Sequence, residues 1–432
     1  MSSQTTPENA PSGDAPLPGP TDPIAPAVAA LGASELTEQR IKDHLWPLFS
    51  RVLARRQRTR QIYLANHSLG RPLDRTADDV AHALNLWYRD LDKAWGPWAD
   101  MIDRYRALNA QIIGCARPDA VVHKVSAGQG LRTVLNALEP KGERLRVLTT
   151  RGEFDACDFI LKRYHAKGRI DLDWVEADDR GRFDPATIAG SISNHHDLVV
   201  VSTVFYATGQ HLDPIVPVIE AAHACEAKIL LDTYHQAGVM PVRFDDIRAD
   251  FAIGGNYKYT RGGPGACWLA IRHDHLDNDD LRPIDTGWFA KDDHFGFERS
   301  DQARLAPGGD GWQEGTPALL TMVQALAGLE LTLAVGLERL QTYNQRQCAF
   351  LADRLREIAV GPVDDRPRGA FILVRVDDLK AATTALADRG VIADGRPDSN
   401  GTCHVRFCPD ILTTEAELTE AAPRIRDACG SG

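Results

Sequence analysis

Short, nearly continuous apolar runs recur between residues 145 and 271, and helical stretches separate them. The runs fall at 145–148, 198–201, 229–231, 251–253 and 266–271, with helical segments such as 159–165 and 215–224 between them. A strand that is apolar at every position, rather than at every second one, must be covered on both faces. Helices placed between successive strands supply those covers. The pattern predicts an α/β domain with a mostly parallel sheet over residues 99–316. Ahead of it, 35–60 and 76–94 read as helices, making 31–98 an N-terminal helical segment. Behind it, a helical stretch over 316–359 leads into strand 371–376, helix 379–388, strand 404–408 and helix 415–428. Residues 317–432 are therefore expected to form a long helix joined to a smaller α+β domain.

Charge and cysteine spacing narrow the function classes. With 60 acidic against 49 basic residues the net charge is −11, which argues against a nucleic-acid-binding or anionic-membrane surface. No apolar run approaches the roughly 18 residues of a membrane span. Residues 1–30, rich in Pro, Ala, Ser and Gly, lack the basic and apolar blocks of a signal peptide and are predicted to be a disordered tail. The eight cysteines form no CxxC pair, and Cys403 and Cys408 have no His pair beside them. Reduced thiols of a cytoplasmic protein are expected, with no metal.

Chemistry concentrates in one block. The run 229–231 leads into Asp232-Thr233-Tyr234-His235, and the run 251–253 into Asn256-Tyr257-Lys258-Tyr259 and then Gly262-Gly263-Pro264-Gly265. Ligands of parallel sheets bind outside the carboxyl ends of the strands, so Asp232, His235 and Lys258 should face one crevice. A lysine with a lowered amine pKa, and a carboxylate that keeps a ring nitrogen protonated, are what pyridoxal 5′-phosphate chemistry requires. The glycine-rich turn would let backbone pass close to the cofactor. Taken singly these residues say little, since an Asp after a strand is commonly a helix cap and a lone Lys is usually exposed. Together they point to a cofactor lysine at Lys258. Ser126-Ala127-Gly128-Gln129-Gly130 opens a predicted helix, and free N–H groups around Ala127 and Gly128 would suit the phosphate. An ordinary helix-start turn uses the same residues.

These segments resemble the class-V aminotransferase family and, within it, the kynureninases, which carry an Asp-Leu-Ala-His segment and a Tyr-Lys-Tyr-Leu-Asn-Gly-Gly-Pro-Gly segment. The likeness continues in order through Tyr63-Leu64-Ala65-Asn66-His67-Ser68-Leu69-Gly70, Trp95 and Trp98, and Val204-Phe205-Tyr206-Ala207-Thr208-Gly209. It goes on through Gly287-Trp288-Phe289, Gly315-Thr316 and Val405-Arg406-Phe407, covering about residues 60–412. The resemblance implies the PLP-dependent transferase fold of type I, with a seven-stranded type of mostly parallel sheet and a smaller α+β C-terminal domain. It also implies that Lys258 carries the cofactor and moves the substrate's α-proton, that Asp232 holds the pyridinium nitrogen beside His235, and that Tyr257 reaches the phosphate and shares in proton transfer. Asp158 and Ser202 match further cofactor-segment positions. Trp288 and Thr316 would close over the phosphate from the partner subunit of a homodimer. Arg406 would bind the substrate carboxylate, a task that suits a planar guanidinium, with His67 and Ser68 beside it. The bland readings are a surface arginine for Arg406 and a core aromatic for Trp288.

Departures from the family pattern cluster around the substrate. His67 replaces an amide, Phe205 and Ala207 replace Asn and Arg, and Ala290-Lys291 replaces Gly-His. Asp155 falls where the family places a ring-stacking Phe, with Phe154 one residue away. The expected activity is hydrolysis of the Cβ–Cγ bond of an L-kynurenine-type amino acid to an aryl acid and alanine. Altered pocket residues leave room for a shifted substrate. Transamination, elimination or desulfuration, and cofactor binding without turnover remain open alternatives.

Overall fold

The computed structural model describes residues 22–276, 281–296, 299, 301–360 and 368–430. Its strands in chain order are β1 (Ile62–Tyr63), β2 (Val121–Lys124), β3 (Leu145–Thr150), β4 (Ile170–Val175), β5 (Leu198–Ser202), β6 (Lys228–Asp232), β7 (Phe251–Gly255), β8 (Cys267–Ile271), β9 (Ala359–Val360), β10 (Ile372–Arg375), β11 (Val391–Ile392), β12 (Asp394–Pro397) and β13 (Cys403–Phe407). Strands β2 to β8 form the seven-stranded sheet, in the order β2-β8-β7-β6-β5-β3-β4. Pairing is parallel from β4 across to β7, and β8 runs antiparallel to both its neighbours. Strands β5, β7 and β8 are buried at every residue, as their unbroken apolar character requires. Each parallel crossover through a helix leaves the strand's carboxyl end facing the same edge of the sheet.

The smaller unit is a four-stranded antiparallel sheet in the order β12-β13-β10-β9, covered by the helices Leu379–Asp388 and Glu415–Cys429. Its link to the start of the chain is the parallel pairing of β1 with β11.

Several expectations need correcting. The predicted tail lies outside the described residues up to residue 21, but Ile24–Leu31 is a helix. Its buried Ile24 and Leu31 join a core with Leu331 and Val335. The boundary expected at residue 98 runs through the helix Trp95–Ile113. The long helix expected after Thr316 is two helices, Leu319–Val335 and Leu337–Arg354, bent by 86° at Gly336, whose φ of +96° suits glycine. Leu319–Val335 is apolar nearly all round because it is enclosed by the sheet domain and the N-terminal helices. Among the described residues no single helix is long and apolar enough to cross a membrane.

Candidate active site

Asp232 is the last residue of β6, and Lys258 follows the end of the adjacent parallel strand β7 by three residues. Strand polarity therefore brings both to one cavity of about 420 Å³, whose lining also includes Ser126, Ala127, Phe154, Tyr206, His235 and Tyr257. Lys258 is 5% exposed, with Nζ 2.6 Å from His235 Nε2. Burial drives the lysine amine below its ordinary value, opposed by the charge of Asp232. Burial and the Lys258 charge hold the His235 imidazole well below its own, so His235 is neutral and meets the amine as a hydrogen-bond partner. Asp232, 4% exposed, accepts the Tyr234 N–H at Oδ1 (2.9 Å), while among the described residues Oδ2 meets the Cys157 thiol at 4.0 Å. Burial pushes the Asp232 carboxyl up. A carboxylate this dry needs a cationic partner in the cavity.

The segment carrying Ser68 reaches this cavity by a close backbone approach. Gly70 N–H donates to Tyr257 O at 2.8 Å, and a side chain at Gly70 would stand 1.9 Å from Lys258 O. Ser126 caps the helix Ala127–Leu135 by accepting the Gln129 N–H, leaving Ala127 at the cavity wall. Gly128 does not line the cavity. Its missing side chain makes room for Ile160 Cδ1, which would otherwise lie 2.7 Å away. In the turn after Lys258, Pro264 and Gly265 line the cavity, whereas Gly262 packs against Ala325.

Two aligned positions are displaced. Asp158 is not at the cavity but pairs with Lys162 one helical turn on (2.6 Å), at the surface. Phe154 is the aromatic that faces Lys258, its ring centre 5.7 Å from Nζ, while Asp155 opens the helix Asp155–Ala166 and is exposed. A register moved by one residue accounts for both observations: Phe154 takes the ring position, and Cys157 stands against Asp232. Ser202 lines the cavity, but its hydroxyl donates to Glu153 Oε2 at 2.6 Å.

Glu153 was not anticipated from the sequence. It is buried and also accepts from Thr150 Oγ1 (2.7 Å) and Ser202 N–H (3.2 Å). Burial pushes its carboxyl from 4.5 up to about 7. Between those values the folded chain keeps a proton that the unfolded chain releases. Glu153 thus stabilises the fold below pH 4.5, and that contribution of about 3 kcal/mol is lost as pH rises through 7. Glu153→Gln should flatten this loss: the gap in thermal stability between variant and wild type should move in the variant's favour from pH 5 to pH 8. A gap independent of pH would show that Glu153 does not titrate there.

Arg406 lies on β13, directly opposite Asp394 on β12. Its Nε and Nη2 donate to the two Asp394 oxygens at 3.1 and 2.8 Å, and Nη1 donates to Tyr206 O at 2.6 Å, behind the cavity wall. His67 is fully buried, and its Nε2 meets Asp394 Oδ1 at 2.6 Å, so the imidazole is held behind Arg406 and does not line the cavity. Burial and the Arg406 charge push His67 down to about 4. Its Nε2 therefore carries the proton that Asp394 accepts, and Nδ1 has no hydrogen-bond partner among the described residues. Burial raises the Asp394 carboxyl, but the His67 hydrogen bond and the Arg406 charge outweigh it and hold the group well below the ordinary carboxylate range.

Trp288 and Thr316 bond to each other, Nε1 donating to Oγ1 at 3.2 Å, and neither lines the Lys258 cavity. Thr316 instead borders a separate apolar groove of about 520 Å³ with Trp87, Leu91, Trp95 and Trp98.

The chain matches the aminotransferase class-V family over residues 78–392. It belongs to that family. Kynureninase from Geobacillus thermodenitrificans is 28% identical over 376 residues, spanning 82% of this chain and 85% of the relative. Kynureninase from Myxococcus xanthus is 28% identical over 360 residues, spanning 78% and 84%. Among solved structures, the cystine C–S lyase C-DES superposes with a TM-score of 0.75 at 19% identity, covering 85% of this chain and 97% of that one. A cysteine desulfurase from Thermococcus onnurineus gives 0.73 at 18%, covering 86% and 96%. Those similarities establish the type I fold. The chain is a kynureninase-like member of the class-V family and a pyridoxal 5′-phosphate enzyme. The site's own chemistry fits that cofactor: a buried amine with a neutral partner, a buried carboxylate whose Oδ2 has no cation bonded to it among the described residues, and a helix N-terminus at one wall.

Proposed function

We propose that this enzyme hydrolyses the Cβ–Cγ bond of L-kynurenine-type amino acids, releasing an aryl acid and alanine. The observation that carries the reading is the similarity to kynureninases over about four-fifths of the chain, with Lys258 in the cavity and Arg406 bonded to the backbone of Tyr206, one of its lining residues. Bound pyridoxal phosphate supplies an electron sink for negative charge at the substrate's Cα. Asp232 would pair with the ring nitrogen and keep it protonated. The N–H groups at Ala127, at the start of a helix and on the cavity wall, would hold the phosphate. Lys258, its amine pKa lowered by burial, takes up and returns a proton at Cα without the cost of a strongly basic amine. Phe154, Tyr234 and Tyr257 surround the amine with ring faces, their centres 5.6–5.7 Å from Nζ, and keep bulk water away. Arg406 would meet the substrate carboxylate through Nη1, giving up its bond to Tyr206 O, while Asp394 holds Nε and Nη2 and sets its orientation. Trp288 and Thr316 act in the cavity of a second copy, which would cover the apolar groove at Trp87 and Trp95.

The test is to incubate the holoprotein with L-kynurenine, 3-hydroxykynurenine, cystine and a panel of other amino acids, following products by mass spectrometry. Alanine together with the aryl acid supports the reading. A keto acid alone would replace it with transamination, and a persulfide with sulfur chemistry. No mobile thiol favours the latter, since Cys267 at the cavity sits within β8 and Cys408 is buried. On the active substrate, Arg406→Ala should raise KM roughly 10- to 100-fold, the loss of a charge-assisted contact, with a smaller change in kcat. An unchanged KM removes Arg406 from the carboxylate role.

A further inference from the structure

At the end of the sheet remote from Lys258, three segments far apart in sequence converge. Cys115 follows the helix Trp95–Ile113, Asp245 lies in the helix Phe244–Ile247 just before β7, and His273 opens the helix His273–Leu276 just after β8. Cys115 Sγ is 3.7 Å from His273 Nε2, and His273 Nε2 is 3.5 Å from Asp245 Oδ1. All three ligand atoms lie within 4.8 Å of one another. Metal–sulfur and metal–nitrogen or –oxygen bonds of zinc length, set at tetrahedral angles, place neighbouring ligand atoms roughly 3.3–3.6 Å apart. The two separations made by His273 Nε2, 3.7 Å to Cys115 and 3.5 Å to Asp245, are close to the edges of such a tetrahedron.

We infer that Cys115, Asp245 and His273 form a binding site for a divalent transition ion of the zinc type.

Donor supply supports it. The Arg117 carbonyl also stands 3.5 Å from Cys115 Sγ, so carboxylate, imidazole and carbonyl converge on one thiol with a single proton to share. Sulfur, imidazole and carboxylate donors suit zinc and its neighbours, whereas calcium and magnesium prefer all-oxygen sites. A thiolate and a carboxylate balance the ion's two charges, and the thiol proton leaves to solvent as the metal–sulfur bond forms. Asp245 is already oriented from behind, because Ala116 N–H donates to Oδ2 at 2.8 Å and leaves Oδ1 toward His273. Cys115 is buried, while His273 and Asp245 are about one-third exposed, which gives the ion an entry path and a water for the fourth position. The bound ion would fasten the loop before β2 to the segments flanking β7 and β8. This inference is independent of the reaction proposed above.

The experiment uses the untagged holoprotein, stripped with chelator and then titrated with Zn²⁺ or Co²⁺. Expected are one ion per chain, release of one proton per ion, a rise in Tm with Zn²⁺, and a thiolate-to-cobalt charge-transfer band with Co²⁺. His273→Ala and Cys115→Ser should each lose the band and the Tm rise while turnover stays unchanged. If Cys115→Ser fails to fold, the partly exposed His273→Ala and the wild-type cobalt spectrum still decide the matter. Equal metal uptake by wild type and His273→Ala, or cobalt uptake without the thiolate band, overturns the assignment.

Discussion

Lys258→Ala should eliminate turnover and leave the fold at least as stable as before. Loss of a positioned proton-transfer group alone costs about 10²- to 10⁴-fold, and loss of the amine that attaches the cofactor comes on top. The fold gains because Lys258 is 5% exposed and burial already drives its charged form out. An alanine removes that desolvation cost. His235 Nε2 loses its partner, but it faces the cavity, where water replaces the amine. Three measurements check this: kcat on the active substrate, Tm, and the mass of the chain after borohydride treatment. Wild type should retain the cofactor mass on Lys258, and the variant should not. Residual turnover within tenfold of wild type would take Lys258 out of the chemistry. A large fall in Tm would show that the lysine holds the fold together.

That Lys258 and Asp232 meet was legible because both stand at the ends of runs whose unbroken apolarity marks adjacent buried strands. Two facts, strand type and polarity, sufficed. Arg406 was legible only through family resemblance, and its partner was not legible at all. The contact with Asp394 depends on the register of β12 against β13, which the intervening turn sets and which no periodicity in 394–407 reveals. The displacement at Phe154 is of the same kind. A one-residue shift at a helix start exchanges an exposed Asp155 for a cavity-facing ring, and two neighbouring aligned residues cannot be told apart without the backbone. Strand β4 escaped notice because it is an edge strand whose burial is broken at Asp171, Asp173 and Trp174, so it lacks the continuous apolar signature of its neighbours. At Gly336 a glycine in a helical stretch costs only about 1 kcal/mol. That leaves a straight helix and a sharp bend equally compatible with the sequence, and packing decides between them. The Cys115, Asp245 and His273 cluster has no spacing signature, since topology alone assembles it.

Asp250 offers the largest expected effect on stability. It is 0% exposed, stands immediately before β7, and is surrounded by donors: His275 Nε2 at 2.6 Å, His223 Nε2 at 3.0 Å, Arg272 Nη1 at 2.9 Å and Ile229 N–H at 2.8 Å. Burial raises the carboxyl, but hydrogen bonds from the two histidines and the Arg272 charge prevail and hold it well below the ordinary range. One side chain thus ties the helix Val216–Ala224, β6, β7 and the segment after β8 together. Asp250→Ala removes the acceptor for all four donors and leaves the mostly buried Arg272 guanidinium with the exposed Asp274 carboxylate, 3.5 Å from its Nε, in place of a buried one. Breaking a buried pair on one side costs about 3–5 kcal/mol, which should appear as a Tm lower by several degrees. Turnover at low temperature should be preserved, because Asp250 is separated from the active end of β7 by the strand's length, roughly 16 Å. The double variant Asp250→Asn with Arg272→Met separates the causes. If the orphaned charge dominates, removing Arg272 as well should recover part of the loss of Asp250→Asn. If the double variant is no more stable than Asp250→Asn alone, the cost lies in the missing hydrogen bonds to β6 and the two histidines, and the carboxylate acts as a structural acceptor rather than a counter-charge.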